Sequence, residues 1–203
     1  MLAALVCLPA EFAFAHGEWS REATVLEYRG GTRTAAILAP DRRKKAIVDG
    51  VSLRVEMDGP RLPGIENAGV STLAELRWAP DSRAFFITES HGGAVGEWRV
   101  TVYMIETQSV RSVDVTSEVT REFKQHYRCA EPEEPNVGAV RWVDGSNQLL
   151  VVAEVPPHSS CPEMGKVKGY VVKVPTGRIV QAFDARELKT RWGRYLGDRL
   201  KRK

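Results

Sequence analysis

The chain has 203 residues, of which 29 are Lys or Arg and 26 are Asp or Glu, giving a formal net charge of +3 at pH 7. Much of this small excess lies in the terminal segment RLKRK, which excludes the broad basic face typical of nucleic-acid-binding proteins. The length suits one domain with a sizeable core. No apolar run approaches the roughly 20 residues that a membrane-spanning helix needs, so we expect one domain without a transmembrane segment.

The chain begins MLAALVCLPAEFAFAHGEWS, which opens with a short apolar run. Ala13-Phe14-Ala15 then places small residues at the two positions that a signal peptidase reads. This pattern predicts a signal peptide over residues 1–15 and a mature domain over 16–203. We therefore expect the mature protein in the periplasm or outside the cell.

A short turn motif recurs along the chain. Ala39-Pro40-Asp41 returns 40 positions later as Ala79-Pro80-Asp81, and Val143-Asp144-Gly145 is a third, looser copy. Proline presets φ at the first turn position, Asp or Gly suits the turn, and the flanking β-branched and aromatic residues favour strands. A third strand, a tight turn and a short fourth strand follow each hairpin. The sequence therefore predicts a mainly β fold whose antiparallel units lie at about 34–65, 74–115 and 138–183.

These turns resemble a known class of repeat. Trp78-Ala79-Pro80-Asp81-Ser82 and Trp142-Val143-Asp144-Gly145-Ser146 are similar to the Trp-x-Pro-Asp-Gly signature of TolB-type, Trp-Asp-like β-propeller repeats, whereas Leu38 replaces the Trp of the first copy. The resemblance implies blades that bury their faces against one another. It also implies an exported protein that binds partners, or one whose catalytic domain lies elsewhere in the chain.

Closed propellers typically have 4–8 blades, so three units leave the architecture open. Segments 23–28 and 115–137 would complete a compact four-unit ring; otherwise the fold is an incomplete propeller or a β-sandwich. An open form needs a helix, a loop or a second chain to cover its free edge. The repeated turn and core residues are expected to be structural: Asp41, Asp81, Asp144, Trp78 and Trp142.

Two segments interrupt the strand pattern and predict helices. In Ser117 to Tyr127, apolar residues recur every four positions on one helical face. The segment 184–200 opens with a capping box of Asp184 and Glu187, and its apolar stripe is Leu188, Trp192, Tyr195, Leu196 and Leu200. The pattern favours packing of this stripe over a sheet edge or face. The alternative is peripheral contact with an anionic membrane or an acidic partner through the basic residues Lys189, Arg191, Arg194, Arg199 and Lys201.

The cysteines predict one disulfide bond. Cys7 falls within the predicted signal peptide, which leaves Cys129 and Cys161 as a pair. In an oxidising compartment such a pair favours a structural disulfide, which would close a loop around the third repeat. The chain contains no CxxC motif that would indicate a redox or metal role.

The predicted mature N-terminus is the metal candidate. Cleavage after Ala15 would expose His16, whose free amine and imidazole together can chelate copper. This is the basis of an alternative in which the protein is a copper-binding enzyme or carrier. Such a site needs a second histidine, and His91, His126 and His158 stand in no recognisable family context.

The loop ESHGGAVGEW is the main binding candidate. It contains His91, Gly92, Gly93 and Trp98 and connects the second and third predicted strands of its unit. His-Gly-Gly is similar to the oxyanion loop of some esterases, but the chain has no Gly-x-Ser-x-Gly nucleophile elbow. Loops held by a rigid scaffold often contact partners. A second candidate loop carries His158 next to the predicted disulfide.

Together these features favour an exported, non-enzymatic binding or scaffold module that presents loops to a protein or glycan partner and needs no cofactor. The competing class is an enzyme, either copper-dependent through His16 or a hydrolase that uses acidic side chains of the loops.

Overall fold

The structure is a computed structural model, and it describes residues 17–28, 31–92, 97–127, 134–157 and 162–201. The strands are β1 (Thr24–Val25), β2 (Thr34–Leu38), β3 (Lys44–Asp49), β4 (Ser52–Met57), β5 (Leu73–Trp78), β6 (Ala84–Ser90), β7 (Trp98–Ile105), β8 (Val110–Asp114), β9 (Asn136–Asp144), β10 (Gln148–Glu154), β11 (Val167–Lys173) and β12 (Arg178–Phe183). The helices are α1 (Thr116–His126), α2 (Ala185–Trp192) and α3 (Asp198–Lys201). Short 3₁₀ turns lie at Val174–Thr176 and Gly193–Tyr195.

Within the described residues the strands form three antiparallel sheets that follow chain order. The first sheet has the order β2-β3-β4, the second β1-β5-β6-β7-β8 and the third β12-β11-β10-β9. The prediction of a mainly β fold with antiparallel units and a C-terminal helix is confirmed. The described residues of the two segments proposed to complete a four-unit ring form no further sheet: β1 extends the second sheet, and 116–126 form α1.

The sheets pack face to face in chain order. Phe85 of the second sheet belongs to an apolar cluster shared with the first sheet. Its neighbour Phe86 points to the opposite face, where it packs in a cluster with Leu149 of the third sheet and Phe123 of α1. Successive side chains of β6 therefore serve different interfaces, as the alternation of a strand requires.

Helix α1 closes one side of the interface between the second and third sheets. The Asp114 carboxylate accepts hydrogen bonds from the backbone N–H groups of Thr116 at 2.7 Å and Ser117 at 3.2 Å, which satisfies donors at the start of the helix. Val119 and Phe123, four positions apart, are fully buried. The apolar face predicted for this segment is the face that packs.

The repeated Trp residues link each sheet to the preceding one. Trp78 Nε1 donates a hydrogen bond to the carbonyl of Ile37 at 2.9 Å, and Trp142 Nε1 donates to the carbonyl of Arg77 at 3.3 Å. Both acceptors occupy the same position in the preceding repeat, one residue before the Trp position. Leu38 stands at that Trp position in the first repeat and is 59% exposed. The repeated Trp position therefore encodes a contact between sheets, next to the turn.

The Asp residues of the first two turns act as predicted. Asp41 and Asp81 accept hydrogen bonds from the backbone N–H groups of Arg43 and Arg83, at 2.9 and 3.1 Å. Asp81 also accepts from the backbone N–H of Ser146 at 3.0 Å and from its hydroxyl at 2.9 Å. One carboxylate thus caps its own turn and ties it to the turn of the third sheet.

The C-terminal segment begins as predicted. Asp184 Oδ1 accepts from the Glu187 N–H at 2.8 Å, and Glu187 Oε2 accepts from the Asp184 N–H at 3.1 Å, which completes the capping box. The single helix predicted over 184–200 is, however, divided into α2, a 3₁₀ turn and α3.

The division has a steric cause. Leu196 has an extended backbone (ψ 134°), and a Cβ atom at Gly197 would lie 2.4 Å from the carbonyl oxygens of Gly17 and Glu18. The Gly197 N–H instead donates to the carbonyl of Trp19 at 2.8 Å. The N-terminal segment crosses at this point, so a continuous helix would have no room.

The C-terminal segment covers the outer face of the third sheet. Leu188, Leu196 and Leu200 pack in one apolar cluster with Phe183 and with Trp19 of the N-terminal segment. The three leucines of the predicted apolar stripe are therefore buried within the chain itself, and Trp192 and Tyr195 are partly buried beside them. In the part of the chain that the structure describes, no helix is both long and apolar enough to cross a membrane.

Candidate functional site

Two adjoining depressions meet at Trp98. The first, here named the apolar cleft, has a volume of about 460 Å³ and is lined by Glu18, Val25, Leu26, Glu27, Tyr28, Thr72, Leu73, Ala74, Glu75 and Trp98. The second, the His91 hollow, has a volume of about 270 Å³ and is lined by Ser71, Glu89, Ser90, His91, Glu97, Trp98, Arg99, Thr116, Ser117, Thr120, Glu134 and Pro135.

Trp98 is a fixed wall between the two depressions. It is the first residue of β7, and its backbone N–H donates to Asn136 Oδ1 on β9 at 3.1 Å. Its ring packs edge-on against Trp19, with 6.0 Å between centroids, and the Arg199 guanidinium lies 5.9 Å from its centroid. Arg199 is itself held by an ion pair with the buried Glu154, Nε to Oε2, at 2.5 Å. With only 8% of its surface exposed, Trp98 shapes the site without offering a free ring face.

The rim of the apolar cleft exposes two large apolar side chains, Leu73 at 48% and Tyr28 at 37%. The buried Arg33 fixes the backbone behind them, because its two terminal nitrogens donate to the carbonyls of Ser71 and Val70, each at 2.9 Å. The Arg33 guanidinium also lies 5.7 Å from the Tyr28 ring centroid. The cleft is therefore a preformed concave surface with apolar groups facing solvent.

Glu75 lies at the base of the cleft and is almost completely buried. Burial raises its pKa to about 8, although the backbone N–H groups of Trp19 and Ser20 act in the opposite direction. The Ser20 N–H donates to Glu75 Oε1 at 3.1 Å, and the Trp19 N–H lies 3.5 Å from Oε2. A Cβ atom at Gly17 would lie 2.0 Å from the same carboxylate, so only glycine fits there. Glu75 thus anchors the N-terminal segment to β5.

The charge of the apolar cleft is negative. Glu18 and Glu27 are exposed on its lining. Among the described lining residues there is no Lys or Arg. A ligand that complements this cleft would combine an apolar group with positive charge.

The His91 hollow is organised around the buried carboxylate of Glu89. Glu89 Oε2 accepts from the Ser71 N–H at 2.6 Å, and Oε1 pairs with Arg99 at 3.0 Å. The exposed His91 lies on the rim, and its carbonyl accepts from the hydroxyl of Thr72 at 3.4 Å. The Glu89 carboxylate is therefore already paired, and the exposed side chains of the lining include His91, Glu97 and Glu134. The Ser90 hydroxyl oxygen accepts a hydrogen bond from the Gly92 N–H at 3.1 Å.

The structure brings together part of the predicted binding set. His91 and Trp98 line the same hollow, and Gly92 follows His91 with φ +79°, a conformation that favours glycine. The other predicted site residues lie outside the described residues: Gly93, His158, His16, Cys129 and Cys161. The disulfide and the copper site at His16 therefore stay predictions.

Sequence reasoning did not single out the residues that define the apolar cleft. In β5, Glu75 lies between Ala74 and Leu76, and the alternation of a strand places its side chain on the opposite face from theirs. The N-terminal segment covers that face. The only signal was the polar tripeptide Glu18-Trp19-Ser20 directly after the predicted cleavage site, where a large aromatic residue indicates packing.

Within the described residues, no group of three or more His, Cys, Asp or Glu side chains is arranged to hold a metal ion. The buried carboxylates of the two depressions are instead bound within the chain, Glu75 to backbone N–H groups and Glu89 to the Ser71 N–H and Arg99.

Comparison with known proteins adds little. No family model matches the chain, and no curated protein matches it. Among solved structures, the chain is similar to an acylaminoacyl peptidase from Pyrococcus horikoshii in its orthorhombic crystal form, with 17% identity and a TM-score of 0.38. The match covers 84% of this chain and 26% of the peptidase, so the chain spans about a quarter of that protein's length.

Proposed function

We propose that this chain is an exported, non-enzymatic binding module that contacts a protein partner through the apolar cleft. The observation that carries the proposal is the exposure of Leu73 and Tyr28 on the rim of a concave surface of about 460 Å³. Apolar side chains grouped around a cleft are typical of contact sites. Export to the periplasm or beyond rests on the Ala13-Phe14-Ala15 cleavage pattern.

The partner's chemistry follows from the lining. Leu73 and Tyr28 call for an apolar side chain, while the exposed Glu18 calls for a neighbouring Lys or Arg. The favoured ligand is therefore a protein segment in which an apolar residue is flanked by basic residues.

A protein is favoured over a glycan because the largest aromatic ring at the site, that of Trp98, is already covered. Sugar recognition by aromatic residues needs a free ring face, but Trp98 packs against Trp19 and Arg199. The Arg33 guanidinium lies over Tyr28. Trp98 therefore offers no stacking platform for a sugar ring, and the exposed Leu73 suits an apolar side chain.

The repeat supports a scaffold role. We interpret the three sheets as blades of an incomplete TolB-type propeller, because Trp78 and Trp142 make the same contact with the preceding sheet. In this interpretation the repeated turns are structural and binding belongs to the loops and to the N-terminal segment.

An NMR titration tests the proposed contact. We expect the peptide acetyl-Lys-Leu-Lys-amide to shift the signals of Leu73 and Tyr28, and expect Leu73→Asp to abolish these shifts. Val180→Asp is the matched control, since Val180 is also an exposed apolar residue (45%) but lies on β12. Maltohexaose and chitohexaose serve as glycan probes. Shifts produced only by the sugars, or peptide shifts that persist in Leu73→Asp, would contradict the proposal.

Cell fractionation tests export separately. We expect the protein in the periplasm or medium with His16 as its N-terminal residue. Full-length protein confined to the cytoplasm would contradict this part of the proposal without affecting the cleft.

A further inference from the structure

A cluster of arginines surrounds Tyr195 on the surface, on the third sheet and the C-terminal segment. The Arg141 guanidinium lies 3.5 Å from the Tyr195 ring centroid, and that of Arg194 lies 4.6 Å from it. Arg141 also lies 5.9 Å from the ring centroid of Trp192. The three residues Arg141, Arg194 and Tyr195 therefore form one compact group, here named the Tyr195 cluster.

A β-bulge positions Arg141. The register between β9 and β10 shifts so that Leu150 lies opposite Arg141 while Val151 lies opposite Ala139, with Val140 as the extra residue. Bulges of this kind change the direction of a side chain. Leu150 belongs to the apolar cluster beneath the C-terminal segment, so the bulge turns Arg141 toward that segment. There its guanidinium stacks on Tyr195.

The Tyr195 cluster carries positive charge that the protein does not balance. Within the described part of the chain, neither Arg141 nor Arg194 lies within ion-pair distance of a carboxylate, whereas the neighbouring Glu22 is paired with Arg77 at 3.3 Å. Partial desolvation raises the pKa of Tyr195, but the guanidinium groups of Arg141 and Arg194 outweigh it and lower that pKa below its ordinary value. The phenol hydroxyl thus lies in a positive field.

We propose that Arg141, Arg194 and the hydroxyl group of Tyr195 bind a phosphate or sulfate ester. Guanidinium groups donate paired N–H hydrogen bonds to oxyanions. Arg141 Nε already donates to the carbonyl of Trp142 at 3.2 Å, so its terminal nitrogens are the donors for the ligand, and the hydroxyl of Tyr195 adds an O–H donor. Three donor groups match the three terminal oxygens of such an ester. The aromatic rings of Trp192 and Tyr195 hold Arg141 in place by cation–π contact before the ligand arrives. This site is separate from the apolar cleft and does not depend on the proposed protein partner.

The test uses phenyl phosphate and inorganic phosphate at constant ionic strength, with the arginine Nε–H signals as the readout. We expect both probes to shift the signals of Arg141 and Arg194. The double variant Arg141→Gln/Arg194→Gln should weaken binding about tenfold or more. Arg178→Gln, which changes an exposed arginine of β12, should bind as the wild type does.

Further variants separate binding from folding. Circular dichroism and the melting temperature show whether the double variant is folded, and Arg141→Lys/Arg194→Lys keeps the charge without the paired donors. We expect the Lys variant to bind more weakly than wild type and more tightly than the Gln variant. Tyr195→Phe should lose part of the affinity. An absence of phosphate binding, or equal binding by wild type and the folded Gln variant, would overturn the proposal.

Vesicles identify the source of the oxyanion. Co-sedimentation with phosphatidylglycerol vesicles that the Gln variant loses, and that phosphatidylcholine vesicles do not show, would support a lipid headgroup. Phosphate binding without vesicle binding would support a soluble ester. Vesicle binding without any phosphate binding would overturn the site, because it would then reflect general attraction to the basic C-terminal segment.

Discussion

The three packed sheets form a stack that ends in two outer faces, one on the first sheet and one on the third, and these two faces differ in their side chains. On the first sheet, Lys45, Arg54 and Glu56 lie outside, and Glu56 pairs with the two cations at 2.8 and 3.2 Å. On the third sheet, the outer face is apolar and lies beneath Leu188 and Trp19. Polar side chains are enough to end a stack of sheets, as they do in repeat proteins. An apolar face needs further chain to cover it.

The two segments that cover this face also contribute to two of the candidate sites, Glu18 to the apolar cleft and Tyr195 to the Tyr195 cluster. Covering it requires the N-terminal segment and the C-terminal segment to meet, and they do so through the backbone hydrogen bonds of Arg21 to Tyr195 at 3.0 Å and of Arg199 to Glu18 at 3.0 Å. The line of contact between the two segments is here named the seam, and it leaves concave surfaces beside it. The apolar cleft lies on one side of this seam and the Tyr195 cluster on the other.

The largest expected difference in stability comes from making the same substitution, Leu to Ala, in the two outer parts of the sheet stack. Leu188→Ala should lower the free energy of unfolding by about 2–5 kcal/mol, because it removes a buried side chain and leaves a cavity. Leu38→Ala should change it by less than about 0.5 kcal/mol, since Leu38 is exposed. Urea unfolding of both variants measures the difference. Equal losses would show that the first sheet is covered as well.

The pH dependence of stability should depend on Glu75 at the covered end. Its pKa rises from an ordinary 4.5 to about 8 on folding, so its contribution is fully present below pH 4.5 and is lost as pH rises toward 8. The slope should reach about 1.4 kcal/mol per pH unit in this range. Glu75→Gln should flatten the slope and make the protein relatively more stable at pH 8. Urea unfolding at pH 5, 6.5 and 8 checks this, and an unchanged slope would assign the pH dependence to another group.

A smaller loss of stability is expected from a change at the start of the C-terminal segment. Asp184→Ala removes the capping box of α2 and should cost about 1 kcal/mol. Asp49→Ala on the first sheet is the control, since it removes only an exposed hydrogen bond from Thr34. Thermal unfolding distinguishes them. Similar losses of stability in the two variants would mean that the capping box of α2 stabilises the fold no more than an exposed surface hydrogen bond does.

The smallest expected change in stability concerns the ion pairs on the outer face of the first sheet. Lys45→Gln should cost at most about 0.5 kcal/mol, and 0.5 M NaCl should remove the difference, because this pair is solvent-accessible. Urea unfolding at low and high salt provides the measurement. A loss of several kcal/mol that persists in salt would indicate that the first sheet is not the solvated end of the stack.

Local sequence patterns were enough to predict the sheets. The turn motifs around Pro40 and Pro80 and the alternation around Phe85 depend on residues close in the chain, and the Asp184–Glu187 cap spans one helical turn. Such signals are visible without tertiary information. The fold class, the antiparallel units and the start of the C-terminal helix followed from them.

The candidate sites depend on contacts that no local pattern records. Glu75 is buried only because Trp19 and Ser20, more than fifty positions earlier, cross its strand. Arg141 faces Tyr195 because of a bulge in β9. The break at Gly197 likewise reflects the N-terminal segment, which a helical pattern over 184–200 does not reveal.

Hydrogen–deuterium exchange tests the meeting of the two terminal segments most directly. The account predicts that the amides of Arg21, Gly197 and Arg199 exchange as slowly as those in the centre of β10, because each donates a hydrogen bond across the seam. Exchange of these three amides within seconds, while β10 stays protected, would show that the third sheet is not covered in this way and would contradict the account.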